Sequence, residues 1–242
     1  MKELFGLKVK DFNDLPVIKI EKLQTPENIR NSVIDEILRK HETSPSVITS
    51  NEANRRKFID AIIHGVASIY KSKMKIIPEY EVCGTHGPID WVIQINNTII
   101  CVTEAKREDL SYGVGQSQCD DADLDESEMC CIVSTGVDWI ITKVKNSNGG
   151  ENNDEKLELF AYSPWPLLLP INNESITHDD LIKPVEDLFG KIKGAFEQQI
   201  NSNKRIKQNH NCNKEYQVVA QLDILVFLKN LACDFQMVNQ DT

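Results

Sequence analysis

A change of period near Pro78 constrains this chain more than any other feature. Before it, Phe58, Ile59, Ile62, Ile63, Val66, Ile69 and Tyr70 recur at steps of three and four. They form one apolar stripe on a helix predicted from near Ser50 or Asn51 to about Lys71. After it, apolar residues fall into short β-rich runs: Tyr80–Cys83, Trp91–Ile95, Thr98–Thr103, Cys130–Val133, Val137–Val144 and Leu157–Tyr162. Asn96-Asn97 is a hairpin turn signal between the second and third runs. Further helices are expected from Thr177 to about Ser202 and near Tyr216–Phe235. A helix, then strands, then helices suits an α/β (α+β) protein, a mixed β-sheet flanked by helices, better than a doubly wound sheet.

The flanking segments divide the chain. Residues 1–24 read as an arm or short strand, and Thr25-Pro26-Glu27 starts a helix that runs to about His41 and buries Ile29, Val33, Ile34 and Ile37. Glu42–Ser46 is a breaker. The expected division is 1–45 as N-terminal arm and helix, 46–212 as core with a trailing helix, and 213–242 as a C-terminal helix packed on the core. Residues 112–128 are helix-compatible but strongly acidic, Lys145–Lys156 reads as a mobile loop, and Asn201–Asn213 as a polar break. His64 is expected to be packed, and Trp91, Trp139 and Trp165 to be core or edge residues.

Composition narrows the setting. With 242 residues, 40% hydrophobic and 26% charged, the chain can bury a core without staples. It has no run of eighteen apolar residues and no apolar leader after Met1, so neither a membrane span nor a secretory signal is expected. Seven cysteines without Cys-x-x-Cys read as reduced thiols of an intracellular protein, with nucleus and cytoplasm both open. Cys83-x-x-His86 lacks a second close pair, which favours buried cysteines over a zinc site.

Chemistry concentrates in Gly87-Pro88-Ile89-Asp90, thirteen further residues, then Glu104-Ala105-Lys106. Acid-x-lysine alone is uninformative, and Asp154-Glu155-Lys156 is another instance in a polar loop. Glu104 and Lys106, however, end the apolar run Ile99–Thr103, where a period of two places them on one face. Asp90 precedes the partner strand. Carboxylate oxygens suit Mg²⁺ or Mn²⁺, which polarises phosphate and acidifies bound water. Lys106 can orient that water or offset developing charge.

Register imposes a condition. A two-residue Asn96-Asn97 turn pairs Ile95 with Thr98 and therefore Asp90 with Thr103, which turns Asp90 away from Glu104. A bulge or a three-residue loop brings Asp90 opposite Glu104, and that irregularity is predicted; an Asp90 just outside the regular pairing would escape the constraint. The alternative is that Asp90 closes a turn while Glu104 and Lys106 form a solvated pair.

At these residues the chain resembles the PD-(D/E)XK nuclease superfamily, the restriction-endonuclease-like fold. Pro88-Ile89-Asp90 stands for the first half of that motif, with one residue inserted, and Glu104-Ala105-Lys106 for the second. Glu52 matches an acid often found in the preceding helix, and Gln116 a glutamine many members carry in the following one. The Glu/Gln-x-x-x-Tyr pattern of some branches is absent. Val102–Asp109, with Thr135-Gly136-Val137-Asp138-Trp139 downstream, looks like nuclease-like domains of fungal crinkler-type families. The similarity covers roughly residues 50–165.

The resemblance implies a four-stranded mixed sheet flanked by helices and a divalent-metal phosphodiesterase site. Asp90, Glu104, the Ala105 carbonyl and Glu52 would be metal ligands, and Lys106 and Gln116 would assist. The implied partner is nucleic acid, DNA before RNA, and a homodimer stays open. The net charge of −10, and the cluster Asp120, Asp121, Asp123, Asp125, Glu126 and Glu128, oppose a phosphate backbone. Two basic runs answer it: Arg55, Arg56, Lys57, Lys71, Lys73 and Lys75, and Lys191, Lys193, Lys204, Arg205, Lys207 and Lys214. If they flank the site, nucleic acid binds despite the net charge. Otherwise they are solvated helix faces, and the chain is an inert nuclease-fold module that binds nucleic acid or protein.

Overall fold

The computed structural model describes residues 15–47, 49–81, 88–105, 128–148 and 155–209. Lys106, Gln116, Cys83, His86, most of the acidic stretch and the expected last helix lie outside these residues, as does the side chain of Glu104.

The described chain forms α1 (Glu27–Thr43), α2 (Glu52–Ser68), a 3-10 turn (Lys71–Lys73), β1 (Met74–Tyr80), β2 (Ile89–Ile95), β3 (Thr98–Ala105), β4 (Glu128–Ser134), β5 (Asp138–Asn148), β6 (Glu155–Ala161), β7 (Leu167–Leu168) and α3 (His178–Asn209). The fold is of the expected mixed α+β class. Seven strands make one sheet in the order β1-β2-β3-β4-β5-β6, with β7 on β5, where the resemblance implied four. Only β3 and β4 run parallel among the described pairs, and their connection crosses residues 106–127.

The expected stripe forms the inside of α2: Phe58, Ile59, Ile62, Ile63 and Val66 are buried. Asn51 caps the helix, its side-chain oxygen accepting the Asn54 N–H at 3.1 Å. Ile34 and Ile37 of α1 and Val185, Phe189 and Phe196 of α3 join these residues in one core with Trp91, Ile93, Ile132, Trp139 and Ile141 of the sheet. Gly65 is where the three helices meet: a Cβ there would lie 2.5 Å from Val33 and 2.7 Å from Phe189. At the other end of the sheet, Leu15 and Ile20 of the arm are buried, and Ile18 donates its N–H to the Ala161 carbonyl at 2.8 Å.

Several expectations need correction. The first strand is Met74–Tyr80 and contains Pro78; it is an edge strand, where a missing N–H costs no ladder bond. Strands β5 and β6 pair as far as Asn148 and Glu155, so residues 145–148 and 155–156 of the expected loop are sheet. Helix α3 passes through the polar stretch to Asn209. Its polar residues have partners there: Gln199 donates to the Glu128 carbonyl at 2.5 Å and to the Asn203 amide oxygen at 3.1 Å. His64 is exposed beside Asp60 at 3.3 Å, because position 64 lies off the stripe. Trp91 and Trp139 are buried, but Trp165 is 66% exposed. No helix among the described residues is long and apolar enough to cross a membrane.

Candidate active site

The site is built on the β2–β3 hairpin. Asn96 and Asn97 take φ of 50° and 62°, the left-handed pair of a tight hairpin turn, and Ile95 faces Thr98. The register slips between Ile93 and Gln94: Gln94 pairs with Ile99 but Ile93 with Cys101, leaving Ile100 as the extra residue. This is the expected bulge. Trp91 then pairs with Thr103, and one step further position 90 meets position 104. Without Ile100, Asp90 would face Thr103.

Asp90 is anchored from that neighbouring strand. Its Oδ2 accepts the main-chain N–H of Ala105 at 2.7 Å, and its side chain is 13% exposed. On the other side Pro78 pairs with Trp91 and Tyr80 with Ile89, so Glu79 falls opposite Asp90. Three acidic positions, 79, 90 and 104, thus line one row across β1, β2 and β3. Glu79 lies outside the expected strand, which begins only at Tyr80, so the sequence pattern does not bring it to the site. Correct placement would have needed Pro78 to be read as an edge-strand proline.

Helix α2 supplies the cation. Arg56 lies with one guanidinium nitrogen 3.5 Å from Asp90 Oδ1 and another 3.6 Å from Glu79 Oε1. Its guanidinium carbon is 5.0 Å from the centre of the Trp91 ring. Glu52 begins the same helix one turn earlier, so the i, i+4 spacing places it on the Arg56 face.

The motif Thr135–Trp139 has a structural role. Gly136 takes φ of 88°, and its N–H donates to Ser134 Oγ at 2.9 Å. Asp138 N–H donates to Thr135 Oγ1 at 3.0 Å, and the Trp139 indole N–H to the Gly136 carbonyl at 3.1 Å. Buried Arg55 ties this turn to α2 through the Thr135 carbonyl at 3.3 Å. Arg55 is therefore withdrawn from the basic face the sequence suggested.

The two basic runs do meet, but elsewhere. Lys73 and Lys204 line a shallow cleft with Ile95, Asn96, Thr98, Ile200 and Asn203. The cleft lies at the hairpin turn, about 20 Å along β2 from Asp90 at roughly 3.3 Å per residue. Among the described residues no group of three or more His, Cys, Asp or Glu side chains could hold a metal ion. Cys101, Cys130 and Cys131 are buried, and burial, reinforced by Cys130, pushes the Cys101 thiol well up. It is inert packing, not a nucleophile.

No protein-family model and no solved structure matches the chain. The chain is similar to Crinkler effector protein 5 of Phytophthora infestans, 23% identical over 168 residues, covering 64% of the chain. It spans about half the length of that relative, 48%.

Proposed function

We propose that the chain is a divalent-metal-dependent nuclease domain that hydrolyses phosphodiesters, DNA before RNA. The observation that carries this reading is the bulge that sets Asp90 opposite position 104, with its carboxylate anchored on the Ala105 N–H. A regular hairpin would have separated the two acids. The order of a helix, three antiparallel strands and a fourth strand parallel to the third also agrees with the PD-(D/E)XK resemblance. The donor set fits Mg²⁺ or Mn²⁺: Asp90, Glu104, the Ala105 carbonyl and, from α2, Glu52 offer oxygen atoms alone.

Such an ion would polarise the phosphate and lower the pKa of a bound water. Asp90, fixed by its bond to Ala105, holds its carboxylate in one orientation through the reaction. Lys106 orients the attacking water, and Gln116 steadies the phosphate. Water adds to phosphorus, one P–O ester bond breaks, and the leaving oxygen takes a proton, giving a phosphomonoester and an alcohol.

The test is cleavage of plasmid, linear DNA and RNA with Mg²⁺, Mn²⁺ or EDTA, beside Asp90→Asn and Lys106→Ala. The reading expects metal-dependent cleavage that both variants lose. Cleavage that survives in both would assign the activity to another source. A second reading, an inert nuclease-fold module acting as an effector by binding, is favoured by the charge of −10 and by the distance of the Lys73–Lys204 cleft from Asp90. It expects no cleavage of any substrate and no Mn²⁺ binding.

A further inference from the structure

Arg56 stands where a metal ion would have to compete. It approaches Oδ1 of Asp90, while the other carboxylate oxygen is engaged by Ala105. It also touches Glu79 and lies over Trp91, so it has a second resting place that does not involve Asp90. Its side chain is 26% exposed and Asp90 13%, so the pair is only partly screened by water. An ion entering beside Asp90 would meet the Arg56 positive charge, 3.5 Å from Oδ1.

We propose that Arg56 is a tethered counter-ion of Asp90 that a divalent cation must displace towards Glu79, so that Arg56 and Glu79 together set the metal affinity of the site. This rests on the reading of Asp90 as a metal ligand. It makes Arg56 a positioning residue, and it makes Glu79 act through Arg56. In the absence of metal the guanidinium bridges Asp90 and Glu79; when metal binds, Glu79 and the Trp91 ring retain the displaced arginine.

Two substitutions therefore act in opposite directions. Arg56→Gln should tighten Mn²⁺ binding at least fivefold by calorimetry. Glu79→Gln should weaken it, because Arg56 then has no alternative carboxylate among the contacts it now makes. The weakening should vanish in the Arg56→Gln background, whereas a long-range charge effect of Glu79 would persist there. Lys57→Gln, which removes an exposed charge from the next position, should leave the Mn²⁺ affinity unchanged.

A measurement on the unaltered protein stands beside these variants. On titration with Mg²⁺, the side-chain N–H signal of Arg56 should shift with the same midpoint as the Ala105 amide. An Ala105 amide that moves while Arg56 stays still, or wild-type Mn²⁺ binding that Arg56→Gln leaves unchanged or weakens, would overturn the role of Arg56 and leave the Asp90 site standing. Mn²⁺ binding that survives Asp90→Asn, or its absence from every variant and from the wild type, would remove Asp90 as a ligand and this proposal with it. Binding by Arg56→Gln alone, lost again in Asp90→Asn/Arg56→Gln, would support both.

Discussion

Asp90 in β2 accepts the main-chain N–H of Ala105 in β3 at 2.7 Å, so one carboxylate secures the end of the strand that carries Glu104. The bond separates two roles that a single substitution would confuse. Asp90→Asn keeps a side-chain oxygen for the Ala105 N–H but loses the charge. Asp90→Ala leaves that N–H without its acceptor, at a cost of about 1–3 kcal/mol. In urea unfolding, Asp90→Asn should lie within about 1 kcal/mol of wild type and Asp90→Ala clearly below it. Equal losses would mean that the Ala105 bond contributes little and that the charge of Asp90 matters to the fold.

The hairpin turn offers a second check. Asn96 and Asn97 both hold positive φ, which side chains other than Asn, Asp and Gly resist by about 1–2 kcal/mol per residue. Asn97→Gly should match or slightly exceed wild-type stability, since Asn-Gly suits this turn best. Asn97→Val should lose about 1–2 kcal/mol in thermal unfolding followed by circular dichroism. A Val variant as stable as wild type would mean that the turn re-forms with another geometry. The bulge would then move, and Asp90 with it.

These positions also show what could be read from sequence. The stripe of α2 and the Asn96-Asn97 turn depend on local spacing, and both formed where expected. Even the bulge could be anticipated, because turn length and strand period together made Asp90 and Glu104 incompatible with a regular ladder. Strand β1 lies before the change of period at Pro78, not after it, and only its place at the sheet edge makes a proline inside it tolerable. The partnership of Arg56 with Asp90 and Glu79 joins residues from three elements. Nothing in local spacing reports such a contact. The same holds for Arg55, which looked like one charge in a basic run and is instead buried against the Thr135 turn.

Gly65 sets a steric limit on the helical layer. Alanine is the better helix former by about 1 kcal/mol, so an exposed glycine would gain from the exchange. At Gly65 the new methyl would enter Val33 of α1 and the Phe189 ring of α3, both buried. Overpacking of this kind costs about 1–3 kcal/mol, so Gly65→Ala should be a net loss. A Phe189→Leu change in the same protein should recover part of the loss by making room. Recovery in a thermal melt would locate the strain at that contact; a Gly65→Ala protein more stable than wild type would show that α1 and α3 can move apart freely.

Glu128 and Lys143 give the fold an acid-sensitive point. Their side chains are 16% and 11% exposed and meet at 2.5 Å across β4 and β5. Burial alone would raise the Glu128 pKa, but hydrogen bonds from Lys143 and Ser202, with the charges of Lys143 and Lys145, outweigh it and hold the carboxyl below its usual 4.5. A lowered carboxyl pKa stabilises the folded state at pH above the unfolded value, and that contribution is lost as pH falls through the folded one. Replacing Lys143 by Met removes the main opposing partner and moves the Glu128 pKa upward. The variant should be about 2 kcal/mol less stable at pH 7, below the 3–5 kcal/mol typical of a fully buried pair because both groups keep some solvent. The gap should narrow as pH falls from the raised Glu128 pKa of the variant towards the lowered one of the wild type, because over that span the carboxyl is protonated in the folded variant but still charged in the folded wild type. Urea unfolding at pH 7, 5 and 4 would follow it. A gap that stays constant over that range would mean that Lys143 acts through the packing of its aliphatic stem and not through its charge.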